Sequence, residues 1–294
     1  MIKAKTKVKP LDVIIAIALV TAGTYVAHRV IEDLNYRWDW ASMPQYLLRY
    51  DGESGGWVPN MLLQGLFTTI RLSLWGTILA TLIGTAMGLF RVGRRLFGRL
   101  VARTYVEVMR NTPPLVLIFL FYYFLSGQIM TALEIDTVLA GMSEETKSLV
   151  SLLFAPPSRF SAFASALITL AIFESAYITE IIRAGIQSIE KGVWEAGYSI
   201  GLSRWQVMRR VILPLAVQRI VPPLAGQFIS TIKDSAIVSV ISIQELTFQG
   251  MELMAATYLT FEVWITVTVL YLVLTLSLSV VLERVEKHLR RSEA

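Results

Sequence analysis

Arg71, Glu107, Arg110, Glu174, Glu180, Arg183, Lys233 and Asp234 all stand inside stretches that are otherwise apolar. An ionised group at mid-depth in hydrocarbon costs about 2.5–3.5 kcal/mol, so each must face a protein interior, a water-filled path or a partner. Glu107 and Arg110 are three residues apart, as are Glu180 and Arg183, so each couple shares a helix face and is expected to pair locally. Both lie near segment ends, where they reach water. Glu174 is different: positions i+3 and i+4 hold Tyr177 and Ile178, so its own helix offers no partner. A carboxylate held there can take an ammonium group. Gln227 adds a neutral hydrogen bond, and the Lys233-Asp234 pair adds a cation for a carboxylate, which is the set a zwitterionic solute needs. A purely structural Glu174–Lys233 or Lys233–Asp234 pair is the competing reading.

The elements that must position these groups are membrane helices. Of 294 residues, 54% are hydrophobic and 17% charged, and the mean hydropathy is +0.58, more apolar side chain than one soluble core buries. Segments near 11–31, 60–90, 104–127, 160–183, 218–240 and 262–282 are long enough to span. No cysteine is present, and the two histidines, His28 and His288, stand at opposite ends. Disulfides and thiol chemistry are excluded, and neither a haem nor a histidine-ligated metal is expected; no cofactor is called for. A carboxylate or serine enzyme, or a passive channel, stays open on these grounds alone. The net charge of +5 raises nucleic acid as a partner, but the bases fall in short clusters beside apolar segments. Lys3, Lys5, Lys7 and Lys9 precede the first, Arg91, Arg94, Arg95, Arg99 and Arg103 follow the second, and Arg284, Lys287, Arg290 and Arg291 follow the last. That bias predicts a multi-pass protein with both termini cytoplasmic, in contact with lipid and not nucleic acid. The first apolar run is expected to be a retained helix rather than a cleaved signal. Trp38, Trp40 and Trp57 suit a water boundary in an exterior loop or short interfacial helix over 32–58. Gly84 and Gly88 form a GxxxG step suited to close helix packing. The expected organisation is an N-terminal transmembrane helix and exterior loop over 1–58, then a transmembrane domain over 59–294.

Between the fourth and fifth apolar segments the chain reads EAGYSIGLSRWQVMRRVILP, from Glu195 to Pro214. Gly201 can end one short helix, Ser203 and Gln206 can form a capping box for the next, and Pro214 is expected to close it. This stretch is a polar elbow over about 184–217. The chain has no phosphate loop of its own, since Gly93 to Gly98 is followed by Arg99 and Leu100, without the lysine and hydroxyl that hold phosphate and magnesium.

The elbow resembles the EAA loop of ATP-binding-cassette (ABC) importer permeases, with Glu195, Ala196, Gly201, Leu213 and Pro214 matching and Gly197 replacing the second alanine. The runs YVEVMRNTPPLVLIFLFYY from Tyr105, SAYITEIIRAGIQSIEKG from Ser175 and PPLAGQFISTIKDSAIVSVISIQEL from Pro222 are similar to permeases of the polar amino-acid uptake family. That resemblance covers about residues 60–282. It implies an all-α, type I importer core of five membrane helices, to which this chain adds one N-terminal helix. It also implies a second permease, identical or related, two separate ATPase subunits, an extracytoplasmic amino-acid-binding protein and a prokaryotic inner membrane. Glu195, Ala196, Gly197, Gly201, Leu213 and Pro214 would then couple the chain to the ATPases, while Glu174, Gln227, Lys233 and Asp234 would line the solute path. Two departures stand out: Val193 where the family commonly has glutamine, and Lys233-Asp234-Ser235-Ala236 for the usual Lys-Asp-Thr-Ser. Another small solute, such as an opine, is the alternative cargo.

Overall fold

The computed structural model describes residues 10–33, 36–53 and 55–291, so the lysines before Pro10 lie outside the described residues. The chain divides into two compact units between Ala41 and Ser42. The first contains α1 (Pro10–Asp33), whose apolar stretch Pro10–Val26 presents exposed Leu11, Ile14, Leu19 and Val20.

The second unit opens with α2 (Met43–Leu47) and a two-stranded antiparallel hairpin, β1 (Leu48–Asp51) and β2 (Gly56–Pro59), in which Tyr50 pairs with Trp57. The expected loop over 32–58 is thus partly a hairpin, because Leu-Arg-Tyr and Trp-Val alternate across a turn built from Asp51, Gly52 and Gly55. Then comes α3 (Met61–Val92), which buries Gly65, Thr69, Leu72, Ser73, Gly76, Ala80, Gly84 and Gly88 along one stripe. Small residues recur there at i+4, which lets another backbone approach. The partner is α9 (Pro157–Gln187), the most deeply buried span. A Cβ on Gly84 would stand 2.7 Å from Ile178 Cγ2, and one on Gly88 would stand 2.7 Å from Ile182 Cβ. Gly76 likewise faces Leu170, so α3 and α9 run parallel in a fixed register.

The expected span at 104–127 is corrected by the structure. One helix, α4 (Leu96–Asn111), ends at Thr112, and the membrane segment begins afresh with α5 (Pro114–Leu120), continuing through a π turn at Phe121–Ser126 into α6 (Gly127–Ala132). A residue that precedes proline is driven out of the helical region. Thr112 and Pro113 both precede one, and both are extended, with ψ of 139° and 132°. Glu107 and Arg110 therefore sit on the amphipathic α4, which buries Ala102, Val106 and Met109, and not inside a span. Short helices α7 (Ile135–Ala140) and α8 (Glu144–Leu153) lead into α9.

After α10 (Lys191–Ser199) and α11 (Arg204–Val207), a π turn at Met208–Ile212 passes directly into α12 (Leu213–Asp234). Pro214 does not close the second helix as expected. Proline lacks an N–H and clashes with the preceding turn of a regular helix, and it is tolerated here at the start of α12, where the widened turn has already shifted the hydrogen bonding. A 3-10 segment, Ser235–Ile241, then leads to α13 (Leu246–Thr257) and the long α14 (Thr260–Arg291). Among the described residues five helices are long and apolar enough to cross a membrane: Met61–Val92, Pro114–Ala132, Glu144–Gln187, Arg204–Ile241 and Thr260–Arg284.

Candidate functional site

The elbow is built by local rules. Gly201 has φ +82°, a conformation that side chains with a Cβ rarely adopt, and it closes α10 with two reversed bonds: Gly201 N–H to the Tyr198 carbonyl at 3.0 Å and Leu202 N–H to the Gly197 carbonyl at 3.3 Å. This is a Schellman motif, which satisfies carbonyls a helix end otherwise leaves open. Two residues on, the expected capping box forms: the Ser203 hydroxyl accepts from Gln206 N–H, and Gln206 Oε1 accepts from Ser203 N–H at 2.8 Å. Gly197 is buried where a Cβ would meet Val207 Cγ2 at 3.0 Å, so a glycine lets α10 cross α11 closely. Glu195 and Ala196 are exposed on this folded-back corner, with Tyr198, Ile200 and Trp205 exposed beside them. Leu213 and exposed Pro214 lie farther along, in the continuous helix. The corner is thus fused to a membrane helix without a joint.

Its root is fixed by charge. Arg183 Nη2 meets Glu180 Oε2 at 2.8 Å, which is the expected couple, and Arg91 Nη2 from α3 reaches Glu180 Oε1 at 3.1 Å. Arg183 also donates to Gln187, and Arg219 of α12 donates to the Ser188 carbonyl. The other expected couple does not form. Glu107 is held by Arg103 at 3.7 Å and accepts from Asn111, whereas Arg110 lies over the Tyr177 ring, 5.5 Å from its centroid. The spacing of three puts both on α4, but α4 turns Arg110 toward Tyr177 of α9.

Glu174 is fully buried in the middle of α9. Gln227 Nε2 of α12 donates to its Oε2 at 2.7 Å, and Asp234 approaches the same carboxyl. Its Oε1 has no hydrogen-bond partner among the described residues. Lys233 and Asp234 are exposed at the end of α12, and no Glu174–Lys233 ion pair is found among the described residues. The four residues named from the sequence thus divide: Glu174, Gln227 and Asp234 converge, and Lys233 does not. Gln227 also borders a cavity of about 550 Å3 lined by Arg110, Tyr177, Glu180, Arg183 and Arg219, which runs from Glu174's neighbours to the root of the elbow.

One hub went unforeseen. Glu245, fully buried before α13, accepts from Thr247 N–H at 2.9 Å, Phe248 N–H at 2.8 Å and Tyr271 O–H of α14 at 2.8 Å, and Thr69 of α3 lies at 3.4 Å. Burial pushes its carboxyl up to about 7 against these bonds, which favour the anion. The signal was present in Glu245-Leu246-Thr247, an acceptor placed where a helix N-terminus needs one.

Residues 76–291 match the family described as binding-protein-dependent transport system inner membrane component. The chain belongs to this family. It is 37% identical over 224 residues to the glutamine transport system permease protein GlnP of Escherichia coli (strain K12), covering 75% of this chain and 90% of that protein. It is 32% identical over 233 residues to the probable glutamine ABC transporter permease protein GlnM of Bacillus subtilis (strain 168), covering 79% and 95%. Among solved structures, the crystal structure of an amino acid ABC transporter with histidines superposes with TM-score 0.66 at 32% identity, over 86% of this chain and 100% of that one. An inward-facing MetNI methionine ABC transporter shares the fold at TM-score 0.60 and 19% identity, over 78% and 96%. The protein is therefore a multi-pass, all-α membrane transport permease of the importer type, with the five-helix core expected from its sequence.

Proposed function

We propose that this permease carries polar amino acids into the cell, driven by ATP hydrolysis on two separate ATPase subunits and fed by an extracytoplasmic binding protein. The observation that carries the cargo class is the 37% identity to a glutamine permease across nearly that protein's whole length. Geometry supports it: a buried carboxylate in mid-span, anchored through one oxygen by Gln227 and open at the other, is suited to an ammonium group. In this reading Glu174, Gln227 and Asp234 form the solute path, and exposed Lys233 stands at its margin. Glu195, Ala196, Gly197 and Gly201 present the corner that the ATPase moves, while Leu213 and Pro214 carry the motion into α12. A second permease, identical or related, completes the path, and both termini and the elbow face the cytoplasm.

The test is uptake into proteoliposomes containing this chain with its ATPase and binding protein, across a panel of polar amino acids and opines. ATP-dependent accumulation of a polar amino acid is the expected result. Accumulation of opines alone would replace the cargo, and solute flux without ATP would replace the importer with a channel.

A further inference from the structure

We propose that a second cavity, at the end of the bundle opposite the elbow, receives the zwitterionic head of the solute before it reaches Glu174; this rests on the amino-acid cargo proposed above. The cavity has a volume of about 490 Å3 and gathers Arg49 from β1, Arg71 from α3, Arg159 from the start of α9 and Gln249 from α13. That volume falls in the usual range of small-molecule sites, about 300–1,000 Å3. Asp51 and Gln64 share its wall. Three guanidinium groups around one hollow call for an anion, and their planar forks match a carboxylate.

Two of the lining groups are placed at a cost that a ligand would offset. Arg71 is half-buried within a span, and among the described residues it makes one hydrogen bond, from Nη1 to the Phe154 carbonyl at a long 3.3 Å. Arg71 lines the cavity, and a cation retained within a span is expensive unless something pairs with it. Gln249 is 6% exposed, and its Oε1 has no partner. A buried acceptor left unmet is destabilising. An ammonium or amide N–H would satisfy it, as a carboxylate would satisfy Arg71 and Arg159. Cationic donors and an open acceptor in one hollow are the pair that a zwitterion needs.

The cavity is not the outer half of the Glu174 site. In the parallel register of α3 and α9, Gly76 faces Leu170 and Gly84 faces Ile178, so Arg71 stands level with residue 165. Glu174 lies about nine residues deeper, roughly 14 Å along the axis at 1.5 Å per residue. The amino and carboxyl groups of an amino acid share one carbon, so a single molecule cannot bridge the two levels by its head. The sites are successive. A smaller hollow of about 140 Å3 shares Arg71, Pro156, Arg159 and Gln244 with the first and is bordered on α9 by Ala162 and Phe163, at the same outer level.

Equilibrium dialysis of radiolabelled L-glutamine against the assembled permease–ATPase complex in lipid nanodiscs, without binding protein, reads the cavity directly. A Glu174→Gln background removes the deeper charge. L-Glutamine is expected to bind in that background, to lose affinity by about tenfold or more on adding Arg71→Gln or Arg159→Gln, and to recover in part with Arg159→Lys. L-Glutaminamide, which lacks the carboxylate, is expected to compete poorly. Because Arg71 also holds Phe154, Arg159→Gln supplies the reading if Arg71→Gln fails to assemble. Absence of binding, or binding that Arg159→Gln leaves unchanged, overturns the cavity. So does a variant that binds L-glutamine as before and only needs more binding protein for uptake, which would make the arginines a docking contact. Wild-type uptake of L-glutamine is measured alongside: uptake without arginine-dependent binding overturns the cavity alone, and no uptake of any polar amino acid overturns the cargo class with it.

Discussion

A carboxylate in mid-membrane has to be held by something, and at Glu174 the holder is a neutral amide, 2.7 Å away, with the second oxygen left open. Glu174→Gln keeps the shape and removes the charge, so uptake is expected to fall by about tenfold or more while assembly with the ATPase persists, because a hydrogen bond to a charged group is worth about 1.5–3 kcal/mol. Proteoliposome uptake beside co-purification checks it; wild-type uptake in that variant would remove Glu174 from the path. Glu245 makes the contrasting case, a carboxylate whose oxygens are occupied by the start of α13 and by Tyr271. Glu245→Ala leaves two backbone N–H groups and a phenol without their acceptor, a loss of about 1–3 kcal/mol or more in stability that a lowered thermal midpoint would register. The pH dependence has a definite sign. Since the folded-state value is raised from 4.5 to about 7, the contribution of this group is full below about 4.5 and is lost as pH rises through 7. The wild-type midpoint should therefore fall between about pH 4.5 and pH 7 relative to Glu245→Gln and level off above, and parallel profiles would show that Glu245 does not titrate there. Glu174 was legible because an isolated charge in an apolar run has no local excuse. Glu245 was legible only as a cap for α13 through Thr247 and Phe248; its role as a hub was not, because nothing in the local sequence brings Thr69 of α3 and Tyr271 of α14 to it.

At the scale of elements, what could be read from sequence was whatever short-range chemistry decides. Gly201, Ser203 and Gln206 act within three or four residues of themselves, and the Schellman turn and capping box stand where they imply. The GxxxG step at Gly84 and Gly88 likewise packs against Ile178 and Ile182, and the full stripe extends back through Ala80 and Gly76. Proline was harder. Pro113-Pro114 breaks α4 from α5, while Pro214, Pro222 and Pro223 all lie within one continuous helix. The difference is tertiary: α12 is held by Ala216 and Ile220, and the turn before it by Ile212, which pack beside Ile182 and Ile186 of α9, and that packing outweighs the missing bonds. Two expectations follow for these contacts. Gly84→Leu forces a side chain into Ile178 and the Ser175 carbonyl, so a destabilisation of about 1–3 kcal/mol or more should appear as loss of monodisperse protein on size exclusion. Gly197→Val should spare the bundle but push α10 off Val207, so that ATPase stimulation by loaded binding protein falls while the membrane helices keep their thermal midpoint. Stimulation at the wild-type level would mean that the corner's shape is not what the ATPase reads.

For the whole molecule, the parallel register of α3 and α9 decides which charges share an end. Arg91 and Glu180 meet near the far ends of those helices, so the cluster Arg91 to Arg103 and the elbow lie on one side of the bundle. The start of α14 belongs to the other side: Val263 and Val267 pack against Gly250 of α13, whose first turn rests on Gly65 near the start of α3. Thirty-two residues of helix then carry α14 back to Arg284 and Arg291, on the side of the elbow. Three basic clusters, distant in sequence, therefore fall together, and the opposite side holds the hairpin with Asp51 and the acidic start of α8, Glu144 and Glu145. Bases gather on the cytoplasmic face of membrane proteins, and this distribution supports the proposed orientation with the elbow inside. A chain that has no cysteine makes this directly measurable. Ser203→Cys, exposed in the capping box, should resist a membrane-impermeant maleimide on intact cells and react once the cells are broken; Gly52→Cys, exposed at the hairpin turn, should react at once. Labelling of Ser203→Cys from outside would invert the bundle, place the elbow beyond reach of any ATP-driven subunit and remove the coupling reading with it.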